Sequence, residues 1–421
     1  MPLQPQRRRY ISFTCLRVCF EWSQDKTHVE APLFPDFFKD ISLSETLTKL
    51  INSDSIFLGT LLPFLAILTV VVFIHEMGHY LVGRWCGIGV KAFSVGFGPE
   101  LLGYTDKKGT RWKLSAIPLG GYVKFSGDEN GASIPDHAAL ANMSQAERNT
   151  AFHTQPVWKR AATVAAGPIA NILLTIAIFA VFFAVNGRMI TNPVITKIVP
   201  GSVAEAAGFQ PGDKFLSING NKVEAFSDLQ RYVAPRPDQE IVFVIDRKGQ
   251  TLTIKATPLT REIDDALGNK VKVAVLGVQT SPAEGGYEIR KFTPLRALGE
   301  SVRETGYIAG ETGSFLVRLV SGREDKCQLG GPVKIATMAG QAASRGTDWL
   351  IQLAALLSIG IGILNLLPIP PLDGGHLLMY GIEGVMRRPV SAKMQEIVFR
   401  IGGIMVLGFM GFVFFNDLFA C

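Results

Sequence analysis

Four stretches of the chain carry no charged side chain and few polar ones: residues 56–74, 161–186, 349–372 and 401–416. The first three reach the roughly 20 residues an α-helix needs to cross a bilayer. The fourth is shorter, but Ile397 and Phe399 can extend it across Arg400. Between the first two stretches the period changes. Phe93, Val95 and Phe97 alternate with other residues, as do Trp112, Leu114 and Ala116, and Gly96, Gly98, Gly120 and Gly121 punctuate the run. Residues 91–125 are therefore predicted as strands joined by glycine turns. No charge falls within 114–123, which points to contact with membrane or substrate.

A second β-rich stretch covers 190–260. Strands are predicted at 194–199, 215–218, 241–246 and 251–256, with a short helix at 203–207 that Gly208 stops. Pro211-Gly212-Asp213, Asn219-Gly220 and Lys248-Gly249 supply the turns. This order of strands and turns resembles a PDZ domain, whose exposed edge binds peptides by strand addition. Further on, the mixture of apolar and charged residues at 294–320 predicts an amphipathic helix.

Composition agrees with a membrane protein: 48% of residues are hydrophobic and only 19% charged. The net charge of +6 comes with no basic stripe interleaved with aromatics, so nucleic acid is excluded as a partner and membrane lipid expected. Arg84 and Lys91 follow the first span, Lys159 and Arg160 precede the second, and Arg387, Arg388 and Lys393 separate the third from the fourth. The positive-inside rule puts these loops in the cytoplasm, and residues 187–348 and both termini outside. Arg7-Arg8-Arg9 runs against that rule; residues 1–54 lack the apolar core of a signal peptide and are assigned no function. The five cysteines form no Cys-x-x-Cys pair, which argues against a disulfide framework or a thiolate zinc site.

The chemistry lies at the end of the first span, in His75-Glu76-Met77-Gly78-His79. On a helix His75 and His79 share a face and can reach one Zn2+, while Glu76 can take a proton from a water on the metal. Zinc lowers the pKa of such a water towards about 7. Ionisable groups at membrane depth cost at least ~2.5 kcal/mol near the bilayer centre and usually serve function. Two histidines leave zinc short of a third ligand. The acidic residue embedded in another apolar span is Asp373, in a segment that Pro368, Pro370, Pro371, Gly374 and Gly375 break. Broken helices at membrane depth occur where backbone lines a cavity or is buried in protein. Asn365 could donate hydrogen bonds to substrate or to a developing oxyanion, or could simply pack between helices. His376 is better placed outside the ligand set, since catalytic zinc keeps one position open; His28, His137 and His153 are not expected to be ligands.

Together these residues resemble the site-2 protease family, specifically the bacterial RseP type. Supporting motifs are Gly96-Phe97-Gly98-Pro99, Ile117-Pro118-Leu119-Gly120-Gly121-Tyr122-Val123-Lys124, Gly167-Pro168-Ile169-Ala170-Asn171 and Phe415-Asn416-Asp417. The resemblance implies a polytopic α-helical membrane protein of four transmembrane helices, with a re-entrant β-hairpin and an inserted periplasmic PDZ domain. It implies zinc held by His75, His79 and Asp373, with Glu76 as catalytic base. It gives Asn365, and the hairpin glycines Gly120 and Gly121, a role in holding substrate. The substrates it implies are single-pass proteins of the bacterial inner membrane already trimmed by a site-1 protease, with anti-sigma factors and remnant signal peptides typical, and an active site towards the cytoplasmic side. The expected organisation is an extension at 1–54, helices one and two with the hairpin at 55–186, a PDZ-like domain at 187–262 whose ligand is not named, a linker and membrane-surface segment at 263–348, and helices three and four at 349–421. One PDZ domain is found where the best-studied type carries two. Two other classes share some of these features. A zinc transporter needs no Glu76 beside the ligands and more polar spans, and an inert scaffold would have lost one of the four site residues.

Overall fold

The computed structural model describes residues 57–128, 142–234, 236–264, 270–281, 286–321, 330–388 and 390–420. The N-terminal extension, His28 and His137 lie outside them.

A π-helical turn, Phe57–Leu61, leads into α1 (Leu62–Trp85). Pro63 sits in its first turn, where a missing N–H leaves no bond unmade. The helix stops at Gly87, whose φ of 81° carries the chain into the left-handed region. There the Ile88 N–H donates to the Gly83 carbonyl and the Gly87 N–H to that of Arg84, satisfying two of the carbonyls that a helix end leaves bare. β1 (Val90–Thr105) and β2 (Arg111–Phe125) follow as a hairpin. Bulges fold it over itself. Ala92, Phe93, Ser94 and Val95 lie in register with Lys124, Val123, Tyr122 and Gly121 on one side, and with Arg111, Trp112, Lys113 and Leu114 on the other. The strict alternation expected of the strands is lost at these bulges: Phe93 is buried, while Phe97 and Leu114 are exposed. At the hairpin tip Asp106 accepts from the backbone N–H groups of Lys108 and Thr110. The Trp112 indole N–H, at 3.1 Å, holds its carboxyl below the usual range. A short capped helix, α2 (Gln145–Arg148), precedes α3 (Val157–Val185), which contains Pro168.

The chain divides into two compact units, of which one contains Phe182–Ala297. Its elements are β3 (Arg188–Thr191), β4 (Lys197–Ile198), α4 (Val203–Ala206), β5 (Lys214–Ile218), β6 (Asn221–Lys222), α5 (Phe226–Val233), β7 (Ile241–Arg247), β8 (Gln250–Ala256), β9 (Leu259–Asp264), β10 (Lys270–Val275), β11 (Val278–Gln279) and β12 (Tyr287–Arg290). A four-stranded sheet of order β6-β5-β7-β8 encloses a core in which Ile241, Phe243 and Ile245 alternate inward against Phe209, Phe215, Leu229 and Val233. The Asn219-Gly220 and Lys248-Gly249 turns have both residues at positive φ, as a two-residue hairpin turn requires. Pairing does not stop at residue 262: β11 returns to β4 and β12 to β3, so residues expected to be linker carry strands.

The other unit resumes along α6 (Pro294–Val320) and continues through α7 (Pro332–Arg345), α8 (Thr347–Asn365), α9 (Asp373–Met386) and α10 (Ala392–Phe415). α7 also falls within the expected linker, yet it packs Ala339 and Ala343 into the core, Ala339 beside Phe64, Ile67 and Val71 of α1. The carboxylate of Asp417 accepts from the backbone N–H groups of Gly331 and Lys334, capping α7. Among the described residues, four helical stretches are long and apolar enough to cross a membrane: Gly59–Trp85, Val157–Val185, Thr347–Asn365 and Lys393–Phe419. The third is shorter than the charge-free run that announced it. The prolines at 368, 370 and 371 cannot continue a helix, so α8 ends at Asn365 and a new helix starts at Asp373.

Candidate active site

His75 and His79 lie four residues apart on α1, both buried, with their Nε2 atoms 3.2 Å apart. Asp373 is the first residue of α9, released into place by the proline-rich break before it. Its Oδ2 lies 3.1 Å from His75 Nε2 and 3.5 Å from His79 Nε2. These are the group that could hold a metal ion among the described residues, their donor atoms all within 4.8 Å of one another. Zinc bonds of about 2.0–2.1 Å, arranged tetrahedrally, separate neighbouring ligand atoms by about 3.3 Å. The three observed separations bracket that value. Two imidazoles and a carboxylate also suit zinc by type and leave a fourth position free. Gly167 of α3 faces the cluster. A Cβ there would collide with His79 Nε2 and would come within 2.8 Å of His75 Nε2. The residues therefore fit the ion in number, spacing and space.

Contacts behind the donors hold their rings. The Nδ1–H of His79 donates to the Thr163 carbonyl at 2.9 Å. On the other ring, His75 Nδ1 lies 3.3 Å from the side-chain amide of Asn171, which is fully buried. Glu76, next to His75, is held by a hydrogen bond from the Val123 backbone N–H of β2. Gly121 lets that strand approach: a Cβ on it would meet the Ser94 carbonyl at 2.7 Å and Glu76 Cγ at 3.2 Å. Gly120 instead faces the ring of Phe97. Asn365, half-buried at the end of α8, makes no side-chain hydrogen bond to the three donors. His376 lies outside the cluster, its ring 4.6 Å from that of Phe399, and His153 pairs with Asp128 at 3.0 Å.

From sequence, Asn171 enters only as the last residue of the Gly167–Asn171 motif, with no role at the metal site, and Thr163 does not enter at all. A signal for Asn171 did exist, an amide within a charge-free span and four residues after Gly167 on the same helix face. Thr163 acts through its carbonyl, to which side-chain patterns are blind.

The model of peptidase family M50 matches residues 63–409, which include all four residues of the proposed chemistry. A protein of Brucella suis biovar 1, named as a candidate zinc metalloprotease, is 59% identical over 379 residues, 90% of this chain and 100% of the relative. One from Mesorhizobium japonicum, named in the same way, is 60% identical over 366 residues, 87% of this chain and 100% of the relative. Metalloprotease MmpA of Caulobacter vibrioides is 39% identical over 387 residues, covering 86% and 96%. With four helices of membrane-crossing length, this chain belongs to peptidase family M50, the site-2 protease family of zinc metalloproteases.

Proposed function

We propose that this zinc metalloprotease cleaves peptide bonds inside the transmembrane segments of single-pass membrane proteins, with His75, His79 and Asp373 as zinc ligands and Glu76 as general base. The observation that carries the reading is the convergence of the three donors on the C-terminal half of a helix long and apolar enough to cross a membrane, with Glu76 beside them. Zinc bound there would activate water and polarise a carbonyl. Glu76 takes the proton from the attacking water and hands it to the departing amine. The Val123 N–H holds its carboxyl group in place.

Peptide bonds in a transmembrane helix are already hydrogen-bonded within the helix, so the helix must be unwound before it can be cut. The folded hairpin of β1 and β2, lying against Glu76 at Gly121 and Val123, supports the role of a re-entrant element that pairs with the unwound strand. Asn365, at the end of α8, is assigned to hold substrate. The unit containing β4 to β11 is proposed to be a PDZ-like domain on the periplasmic side of the inner membrane. Substrates already shortened by a site-1 protease, such as anti-sigma factors and remnant signal peptides, fit this scheme. Glu76→Gln is expected to keep zinc and to abolish cleavage of a single-pass reporter in detergent; cleavage at the wild-type rate would sink the mechanism. A zinc transporter would lose no proteolysis, since it would have none.

A further inference from the structure

Each imidazole of the site presents Nε2 to the cluster and Nδ1 to a neighbour on α3. For His79 the neighbour is the Thr163 carbonyl, which can only accept. It fixes the proton on Nδ1 and leaves the Nε2 lone pair for a metal. For His75 the neighbour is the Asn171 amide, 3.3 Å from Nδ1. Its nitrogen faces the ring, while its Oδ1 is buried with no hydrogen-bond partner. The two ends of an amide have nearly the same shape, so hydrogen-bond chemistry decides which one faces the ring. A donor facing Nδ1 would force the imidazole proton onto Nε2, among the other donor atoms, and would exclude a metal. Turning the amide over puts Oδ1 against an Nδ1–H and frees Nε2.

Asn171 is held for this purpose. Its backbone carbonyl accepts from the hydroxyls of Thr175 at 3.0 Å and of Ser358 on α8 at 2.9 Å. Gly362 of α8 leaves its Cβ only enough room, at 3.3 Å from where a second Cβ would stand. We infer that Asn171 is a positioning residue that selects the metal-binding tautomer of His75 by accepting from its Nδ1–H. The inference rests on the ligand set proposed above.

The test is zinc affinity of the purified full chain in detergent, read by competition with a chromogenic chelator, so that no turnover is needed. Asn171→Leu keeps the bulk and removes the acceptor. It is expected to weaken zinc binding roughly ten- to hundredfold, as losses of such outer contacts do. Asn171→Asp keeps an acceptor and is expected to bind at wild-type affinity or tighter. Wild-type affinity in Asn171→Leu would overturn the inference. So would an Asn171→Asp protein as weak as Asn171→Leu, because acceptor chemistry would then not matter. Should the leucine variant fail to fold, Asn171→Asp decides alone, with a tenfold or greater loss overturning the assignment. A wild-type chain that takes up no zinc, or His75→Ala binding as wild type, would instead overturn the ligand set itself, and this inference with it.

Discussion

A glycine at position 167 is costly to a helix and necessary to this one. Replacing glycine by alanine in a helix interior ordinarily gains about 1 kcal/mol. Here the added methyl would overlap both histidine Nε2 atoms. Gly167→Ala is therefore expected to fold and yet to lower zinc stoichiometry, measured by metal analysis of the purified protein; full occupancy would show that the donors can move aside. Asp373→Ala should lower zinc for the plainer reason that a donor is gone, and unchanged stoichiometry would remove Asp373 from the site. The two outcomes separate a donor from the space around it. His75 and His79 were legible from their spacing, and Asp373 from being an acid in a broken apolar span. Val123, which touches Glu76 only through its backbone, was not legible.

Elements are tied together around the site by a buried ion pair. Arg160 near the start of α3 meets Glu383 of α9 at 2.6 Å, with both side chains largely covered, and stacks 4.9 Å from the Tyr380 ring. Since α9 also carries Asp373, the pair keeps the third donor in step with α3. Removing one member would strand a buried charge at about 3–5 kcal/mol, whereas replacing both by apolar residues is often neutral. Glu383→Leu should lower the unfolding temperature markedly, and Arg160→Met with Glu383→Leu should recover most of the loss. A single variant as stable as wild type would show that the pair is idle. Long apolar helices and the hairpin turns were readable at this scale, because each depends on local periodicity or on residues that tolerate positive φ. α5, α7 and α9 were not. They are short, and short helices are made by the packing they find rather than by propensity. Nor could local pattern reveal that β11 pairs with β4, where Val278 meets Ile198, 80 residues earlier.

At the scale of the molecule, the proposed reaction requires unwinding of a substrate helix before cutting. Two glycines placed beside the scissile bond of a reporter each weaken its helix by about 1 kcal/mol. If unwinding limits the rate, together they should raise kcat/KM up to about 30-fold. Equal cleavage of glycine-bearing and all-leucine reporters would place the slow step elsewhere. The proposed site also draws its donors from opposite ends of the chain, with Asp373 following His79 by 294 residues. A ribosome must therefore deliver almost the whole protein before the third donor exists. Until then a nascent chain holds its histidines in the membrane with nothing to complete them. On the proposed ligand set, a fragment cut short before α9 would lack the third donor, and biosynthesis itself would keep the protease harmless until it is nearly finished.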